Sequence, residues 1–221
     1  KFYMNKYPSI KYKTSSEIKL KELYWNHWIK RGKKECRTLS STTEIANKGS
    51  WGCLYSHINT LKDAINNNYE NILILEDDFM PHIRLNELTK NIDEVMKNKW
   101  KVIYLGTSQY EWDNIKKEKN YYYANKSFGT FAYVINRNFY EELLNEFKKF
   151  YHNVDHILKN LQKKYPNEFL VVIPNLIISN LDLKSNTQTQ LNPELYNKFK
   201  WNKYLYNYGE ITESVKKLIK K

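Results

Sequence analysis

Apolar positions in this chain recur with two different spacings, and the alternation between them sets the expected fold. From Trp51 to Asn66, residues Leu54, Ile58, Leu61 and Ile65 recur every three or four positions, the spacing of one helix face, and the run Asn66–Asn68 stops it. The uninterrupted apolar run Ile72–Leu75 follows at once and predicts a buried strand. Leu85–Met96 predicts a helix, and K-V-I-Y-L-G, Lys101–Gly106, a second buried strand that ends at a glycine. F-A-Y-V-I, Phe131–Ile135, predicts a third strand, Phe139–Phe150 a helix, and L-V-V-I-P, Leu170–Pro174, a fourth strand. Nearer the start, Phe2–Asn5 reads as a short strand. Glu17–Lys30 carries a broad apolar face (Ile18, Leu20, Leu23, Trp25, Trp28, Ile29) compatible with a helix ending near Gly32, and Ser40–Gly49 is polar and turn-prone. Strands alternating with helices predict an α/β sandwich with a mainly parallel sheet.

The strand at Ile72–Leu75 ends on three adjacent acids, Glu76, Asp77 and Asp78. In open α/β sheets ligands bind beyond the carboxyl ends of the strands, so charges that would be costly inside are placed where solvent, metal or substrate reaches them. Alternate residues of an extended chain face the same way, so Glu76 and Asp78 are expected to point together and Asp77 to point opposite. Two oxygen donors on one side suit a hard cation, Mn²⁺ or Mg²⁺, bridging to a phosphate-bearing ligand. The competing reading is a solvated turn, or an N-cap for a helix beginning near Pro81.

Composition narrows the class. A chain of 221 residues with 5 Pro and 6 Gly and no Ser/Gly- or Pro-rich linker reads as one globular domain. It has no apolar window of about 18 residues, and the opening K-F-Y-M-N-K-Y-P lacks the apolar run of a signal peptide, so a soluble, cytoplasmic protein without a membrane span is expected. Cys36 and Cys53 are too few for a disulfide scaffold and lack metal spacing, which fits a reduced, cytosolic thiol pair. The net charge of +12 suits phosphate-bearing partners. The excess is mostly Lys, however, and comes with many Asn, Ile and Tyr residues, the set that A/T-rich codons produce without selection for binding; that plainer explanation is preferred.

Gly49–Asp78, G-S-W-G-C-L-Y-S-H-I-N-T-L-K-D-A-I-N-N-N-Y-E-N-I-L-I-L-E-D-D, resembles the signature of glycosyltransferase family 25: G-C-x-x-S-H, a helix, then an apolar strand ending E-D-D. The family includes bacterial lipopolysaccharide-core glycosyltransferases and animal collagen galactosyltransferases, with similar domains in large DNA viruses. G-T-F-A-Y-V-I-N-R, Gly129–Arg137, is similar to the family's G-T-x-A-Y-x-I-S-R strand, and V-D-H-I-L, Val154–Leu158, followed by V-V-I-P-N-L and Ser185, to its later pattern. The family's opening I-N-L strand and following Arg are represented only by a degenerate F-Y-M-N-K-Y-P. On this resemblance, residues 1–48 form a degenerate nucleotide-binding part, 49–190 the family core and 191–221 a C-terminal extension, read as packing in preference to an acceptor or partner surface.

The resemblance implies a GT-A-like, Rossmann-type nucleotide-sugar fold, a divalent metal, and inverting transfer of galactose or glucose from a UDP-sugar to a hydroxyl on a glycan or on a hydroxylysine-type protein acceptor. It assigns the metal to Glu76 and Asp78 and the nucleotide-sugar to Glu76, Asp77, Asp78, Ser56, His57, Gly129 and Thr130. Inversion needs a base opposite the leaving group; Asp155 is the candidate, with His156 the weaker one, although Asp155 as a helix N-cap is the plainer alternative. Ser56 and His57 also read as structural helix residues, and Gly129–Thr130 as a packing device. Cys53 reads as a small buried apolar residue, not a nucleophile. Tyr121–Tyr123 reads equally as a sugar-stacking loop or a surface strand. Three rival functions are a basic nucleic-acid-binding module, a metal-dependent phosphate hydrolase, and a degenerate transferase that keeps the fold but not the activity.

Overall fold

A computed structural model of the chain describes residues 45, 48–183 and 194–207, all of which belong to one compact unit, Glu44–Lys221. The expected strand Phe2–Asn5, helix Glu17–Lys30, Cys36, Ser185 and most of the run Ser40–Gly49 lie outside the described residues.

The predicted helices and strands form close to their expected bounds. Helix α1 spans Lys48–Asn66. Its buried face is Leu54, Ile58, Leu61 and Ala64, and it packs against α4 (Tyr140–Phe147) and α5 (Val154–Lys164). Each fully buried Leu or Ile on that face contributes roughly 1.5–3 kcal/mol. The strands are β1 (Asn71–Leu75), β3 (Val102–Tyr104), β7 (Ala132–Asn136) and β8 (Phe169–Val172). Leu85–Met96 divides at Thr89 into α2 (Leu85–Leu88) and α3 (Lys90–Met96). Pro81, expected near a helix start, instead closes β2 (Phe79–Pro81), which pairs with β9 (Ile177–Ser179). Short strands β4 (Ser108–Gln109) and β6 (Ser127–Phe128) pair with each other. Tyr121–Tyr123 forms β5, a sheet strand with Tyr122 buried, and not a loop.

The expectation of a mainly parallel sheet is corrected. Among the described residues the five-stranded sheet has the order β1-β7-β3-β8-β5, and only β3 and β8 pair in parallel. Strand β7 runs antiparallel to both β1 and β3, and β5 antiparallel to β8. Strand direction is set by how the connections return, and a short apolar run reads alike in either direction. The pairings still leave β1, β3 and β8 pointing one way, so their carboxyl ends share an edge with the entrance of β7. The expectation that Ile72–Leu75 is buried is also corrected: β1 is an edge strand of the described sheet, with Ile74 buried but Leu73 51 % and Leu75 41 % exposed.

The core above this edge gathers Met80, Ile103, Leu105, Phe131, Leu170 and Ile177 together with Tyr196, Phe199, Trp201 and Tyr206 of the C-terminal segment, in which α6 spans Glu194–Lys198. The described part of the extension, residues 194–207, therefore packs into the domain. Gly106 permits the closest backbone approach at this edge. A Cβ there would lie 1.8 Å from the Ile177 carbonyl oxygen and 3.2 Å from the Phe131 ring. Because backbone has to move, Gly106→Ala is expected to cost about 3 kcal/mol, the upper end for overpacking, and to lower Tm by roughly 6–12 °C. A thermal melt within a degree of wild type would contradict this.

Candidate active site

The antiparallel run of β7 brings the entrance of that strand beside the exit of β1. Leu75 pairs with Ala132, and the next N–H, that of Glu76, donates to the Phe131 carbonyl at 3.0 Å. Thr130, one residue earlier, thereby reaches the Glu76 side chain, and its Oγ1 donates to Glu76 Oε1 at 2.5 Å. Gly129 precedes it at φ +99°, a left-handed conformation, where a Cβ would strike the Phe131 ring at 2.5 Å. The packing explanation for this glycine therefore has direct support.

Helix α1 supplies the other wall. Cys53 and His57 are four residues apart and share a face. His57 Nε2 lies 3.3 Å from Glu76 Oε1, its Nδ1 lies 2.7 Å from the Tyr133 hydroxyl, and the Cys53 Sγ lies 3.9 Å from the same carboxylate oxygen. A carboxylate only accepts, so Nε2 carries a proton toward Glu76, while Nδ1 shares a hydrogen bond with the Tyr133 hydroxyl. Thr130, His57 and Cys53 thus converge on Oε1 of Glu76.

Electrostatics follow from that geometry. Burial pushes the Glu76 carboxyl upward, but the His57 and Thr130 hydrogen bonds outweigh it and hold the group below the ordinary carboxylate range. Burial first, and then the Glu76 charge, push the Cys53 thiol and the Tyr133 hydroxyl well above their usual values. Cys53 therefore stays a thiol and is not an activated nucleophile. Asp78 behaves oppositely to Glu76: burial raises its pKa, the Ser179 hydrogen bond at 2.6 Å opposes this, and the charges of Glu76 and Asp77 raise it further.

The sequence-predicted site residues are brought together in part. Glu76, His57 and Thr130 form one cluster. Asp78 is close enough to feel the Glu76 charge but is anchored across the β2–β9 pair, its backbone carbonyl accepting from Asn180 at 2.7 Å. Its Oδ1 is buried and accepts no hydrogen bond among the described residues. Asp77 is exposed. Ser56 is exposed on α1 and donates to the Gly52 carbonyl of its own helix at 2.9 Å. Asp155 is not the N-cap of α5, since that position is Asn153; Asp155 lies in the first turn, with Oδ1 accepting from the His156 N–H at 2.8 Å. Burial raises the Asp155 pKa, the His156 side chain opposes this, and the Glu76 charge raises it again. Helix α5 packs against α1, and the Asp155 charge acts on Cys53. His156 stacks on His152 at 5.4 Å and meets Phe128 edge-on.

The residues the sequence did not reveal are Tyr133, Ser179 and Cys53 as a cluster member. The donor atoms of Cys53, His57 and Glu76 lie within 4.8 Å of one another, a set with the chemistry of a softer cation than Mn²⁺. The i, i+4 spacing of Cys53 and His57 was the available signal for it.

The two strand-end acids are expected to respond oppositely to neutralisation in metal-free buffer. Glu76 has a lowered pKa, so its ionised form stabilises the fold above the ordinary carboxylate range and that contribution is lost as pH falls through its folded value. Glu76→Gln should therefore destabilise at neutral pH by about 1–3 kcal/mol. Asp78 has a raised pKa, so its ionisation opposes folding as pH rises through the folded value. Asp78→Asn should match or exceed wild-type Tm at neutral pH. Both differences should shrink on acidification, and melts at neutral and acidic pH check the two signs.

Residues 5–158 match the family model described as glycosyltransferase family 25 (LPS biosynthesis protein). None of the curated proteins compared with the chain matches it. No helix of the described residues is long and apolar enough to cross a membrane. The matched span holds Cys53, His57, Glu76, Thr130, Tyr133 and Asp155, the whole of the cluster and the acid in the first turn of α5, and ends before β8 and the C-terminal segment. With well over half of its length matched, including every residue that converges on Glu76, the chain belongs to glycosyltransferase family 25.

Proposed function

We propose that this glycosyltransferase is a metal-dependent, inverting enzyme of GT-A type that moves a hexose, galactose or glucose, from a UDP-sugar to a hydroxyl on a glycan or protein acceptor. The observation that carries the reading is the convergence of Thr130, His57 and Cys53 on Glu76 Oε1 at the end of β1, with the buried Asp78 Oδ1, two positions on, left without a hydrogen bond among the described residues.

Glu76 and Asp78 would hold Mn²⁺ or Mg²⁺, and the fit rests on Asp78 Oδ1, a buried carboxylate oxygen that accepts no hydrogen bond among the described residues. Such an ion supplies a Lewis acid that neutralises charge developing on the β-phosphate of the leaving nucleotide. Thr130 and His57 keep the Glu76 carboxylate oriented through Oε1. Asp155 takes the proton of the acceptor hydroxyl. The acceptor oxygen then bonds to the anomeric carbon from the face opposite the diphosphate, and the bond from that carbon to the β-phosphate oxygen breaks. Burial helps Asp155 in this role, because a base whose pKa is raised toward operating pH accepts a proton more readily.

Among the described residues many lysines already have local partners, which weighs against the nucleic-acid alternative. Lys99, Lys126, Lys149 and Lys164 are paired with carboxylates. Lys101, Lys116, Lys117, Lys159, Lys198 and Lys200 lie over aromatic rings.

Asp155→Asn is expected to lose transfer by roughly two to four orders of magnitude while still binding the donor. A fully active variant would remove Asp155 as the base and leave His156 as the next candidate. Asp78→Asn is expected to abolish Mn²⁺-dependent UDP-sugar binding by calorimetry, and unchanged metal-dependent affinity would refute the metal assignment.

A further inference from the structure

Cys53 and His57 stand four residues apart on one face of α1, the spacing by which a helix presents two ligands to one metal ion. With Glu76 they bring one sulfur, one nitrogen and one oxygen donor within 4.8 Å of one another. Hydrogen bonding to the acid accounts for His57 and Thr130, which approach Glu76 Oε1 at 3.3 and 2.5 Å. Cys53 is poorly explained that way. A thiol is a weak donor, and at 3.9 Å it adds little to a carboxylate oxygen that already has two better ones. What sulfur brings to that position, and a serine hydroxyl would not, is affinity for soft cations.

The distances suit a tetrahedral ion. Bonds of about 2.3 Å to sulfur and about 2.0–2.2 Å to nitrogen and oxygen put the ligand atoms of such a site roughly 3.3–3.6 Å apart. His57 Nε2 and Glu76 Oε1 are already 3.3 Å apart, and Cys53 Sγ, 3.9 Å from Oε1, has only a small distance to close. The outer contacts that orient metal ligands are also in place. The Tyr133 hydroxyl, 2.7 Å from Nδ1, accepts the imidazole proton when Nε2 turns to a metal, and the Thr130 hydroxyl steadies Oε1 while a second lone pair of that oxygen stays free for the ion. The Glu76 side chain is 29 % exposed and Cys53 is half-buried, so the cluster is not sealed from solvent.

Thiolate and imidazole set the selectivity. Affinity at a mixed site rises from Mn²⁺ to Zn²⁺, and a thiolate ligand favours Zn²⁺ further. The set thus differs from the all-oxygen Glu76–Asp78 pair proposed for Mn²⁺ or Mg²⁺, with which it shares only Glu76. Burial and the Glu76 charge keep Cys53 protonated in the metal-free cluster, whereas a bound dication deprotonates a coordinating thiol, and that proton passes to solvent.

We propose that Cys53, His57 and Glu76 form a site for one Zn²⁺ ion, held by Sγ, Nε2 and Oε1 with the fourth position left to a ligand from solution. Because it draws on Glu76, Zn²⁺ there competes with the Mn²⁺ proposed to serve sugar transfer; that consequence rests on the transferase reading, and the site itself does not. The test takes the full chain, stripped of metal by chelator and dialysis, and titrates it with Zn²⁺ by calorimetry and with Co²⁺ by absorption. Co²⁺ should raise the near-ultraviolet charge-transfer band of a thiolate ligand, about one equivalent of Zn²⁺ should abolish it, and a roughly tenfold excess of Mn²⁺ should not. Cys53→Ala should lose the band and weaken Zn²⁺ binding about a hundredfold or more, since even the outer partners of metal ligands are worth roughly ten- to a hundredfold. Tyr133→Phe should keep the band and weaken Zn²⁺ binding about tenfold. Cys36→Ser should leave band and affinity unchanged. Cys53 is the only thiol in that variant, so its band assigns the ligand even if Cys53→Ala does not fold. Zn²⁺ binding with no thiolate band under Co²⁺, a band that survives Cys53→Ala or vanishes in Cys36→Ser, or displacement of Co²⁺ by Mn²⁺ as readily as by Zn²⁺ would overturn the proposal. Mn²⁺-dependent binding of UDP-galactose and UDP-glucose, which Zn²⁺ should weaken, separates the two readings. A Cys53 thiolate band in a chain that binds neither UDP-sugar keeps the site and removes the transferase mechanism, and donor binding in a chain without the band does the reverse.

Discussion

The carboxylate of Glu76 is the constraint around which the described unit is organised. A charge partly taken out of water is costly unless fixed donors replace its hydration, and here Thr130, His57 and the Cys53 thiol all approach Oε1 of a half-buried carboxylate. The donors come from two places in the fold: the entrance of β7 for Thr130, and one face of α1 for the other two. Keeping that oxygen satisfied therefore fixes where the helix sits against the end of the β1–β7 pair. Tyr133 extends the constraint into the core through its 2.7 Å hydrogen bond with His57 Nδ1, which holds the imidazole between the acid and a fully buried phenol.

Strand direction makes this convergence possible. Had β7 run parallel to β1, Thr130 and Phe131 would lie at the opposite edge of the sheet from Glu76. The antiparallel pairing places the G-T-F entrance beside the E-D-D exit, and the parallel β3–β8 pair carries Gly106 and Leu176 to the same edge, where the Leu176 N–H donates to the Leu105 carbonyl at 2.7 Å. One edge thus receives the donors, the acids and the close backbone contact. Asp155 approaches from the first turn of α5, close enough for the Glu76 charge to act on its carboxyl.

The cluster divides the acids by environment. Three donors meet on one oxygen of Glu76 and only Ser179 reaches the Asp78 side chain, although Asp77 alone lies between them. Their carboxyl pKa values are accordingly displaced in opposite directions. A burial that raises Asp78 and leaves one of its oxygens without a hydrogen bond weakens the fold locally, and such local costs are common where a protein holds a ligand.

The sequence by itself determined the elements and the chemical inventory. The three-to-four-residue spacing over Trp51–Asn66 and the apolar runs at Ile72–Leu75, Lys101–Gly106, Phe131–Ile135 and Leu170–Pro174 located the helix and strands to within a few residues, because local periodicity reports which faces must leave water. The acids at the strand end and the motifs around Cys53, Gly129 and Asp155 were legible for the same local reason. The direction of β7, the exposure of Leu73 and Leu75, and the anchoring of Asp78 to Ser179, 101 positions away in sequence, were not. Nor was the partnership of Tyr133 with His57, 76 positions apart, or the gathering of Cys53, His57 and Thr130 on one oxygen of Glu76. These depend on which segments become neighbours after the chain has turned back, and a short apolar run or a lone tyrosine carries no record of its partner. Only the tertiary structure decided them, because a hydrogen bond to a buried charge is specified by position in space and not by distance along the chain.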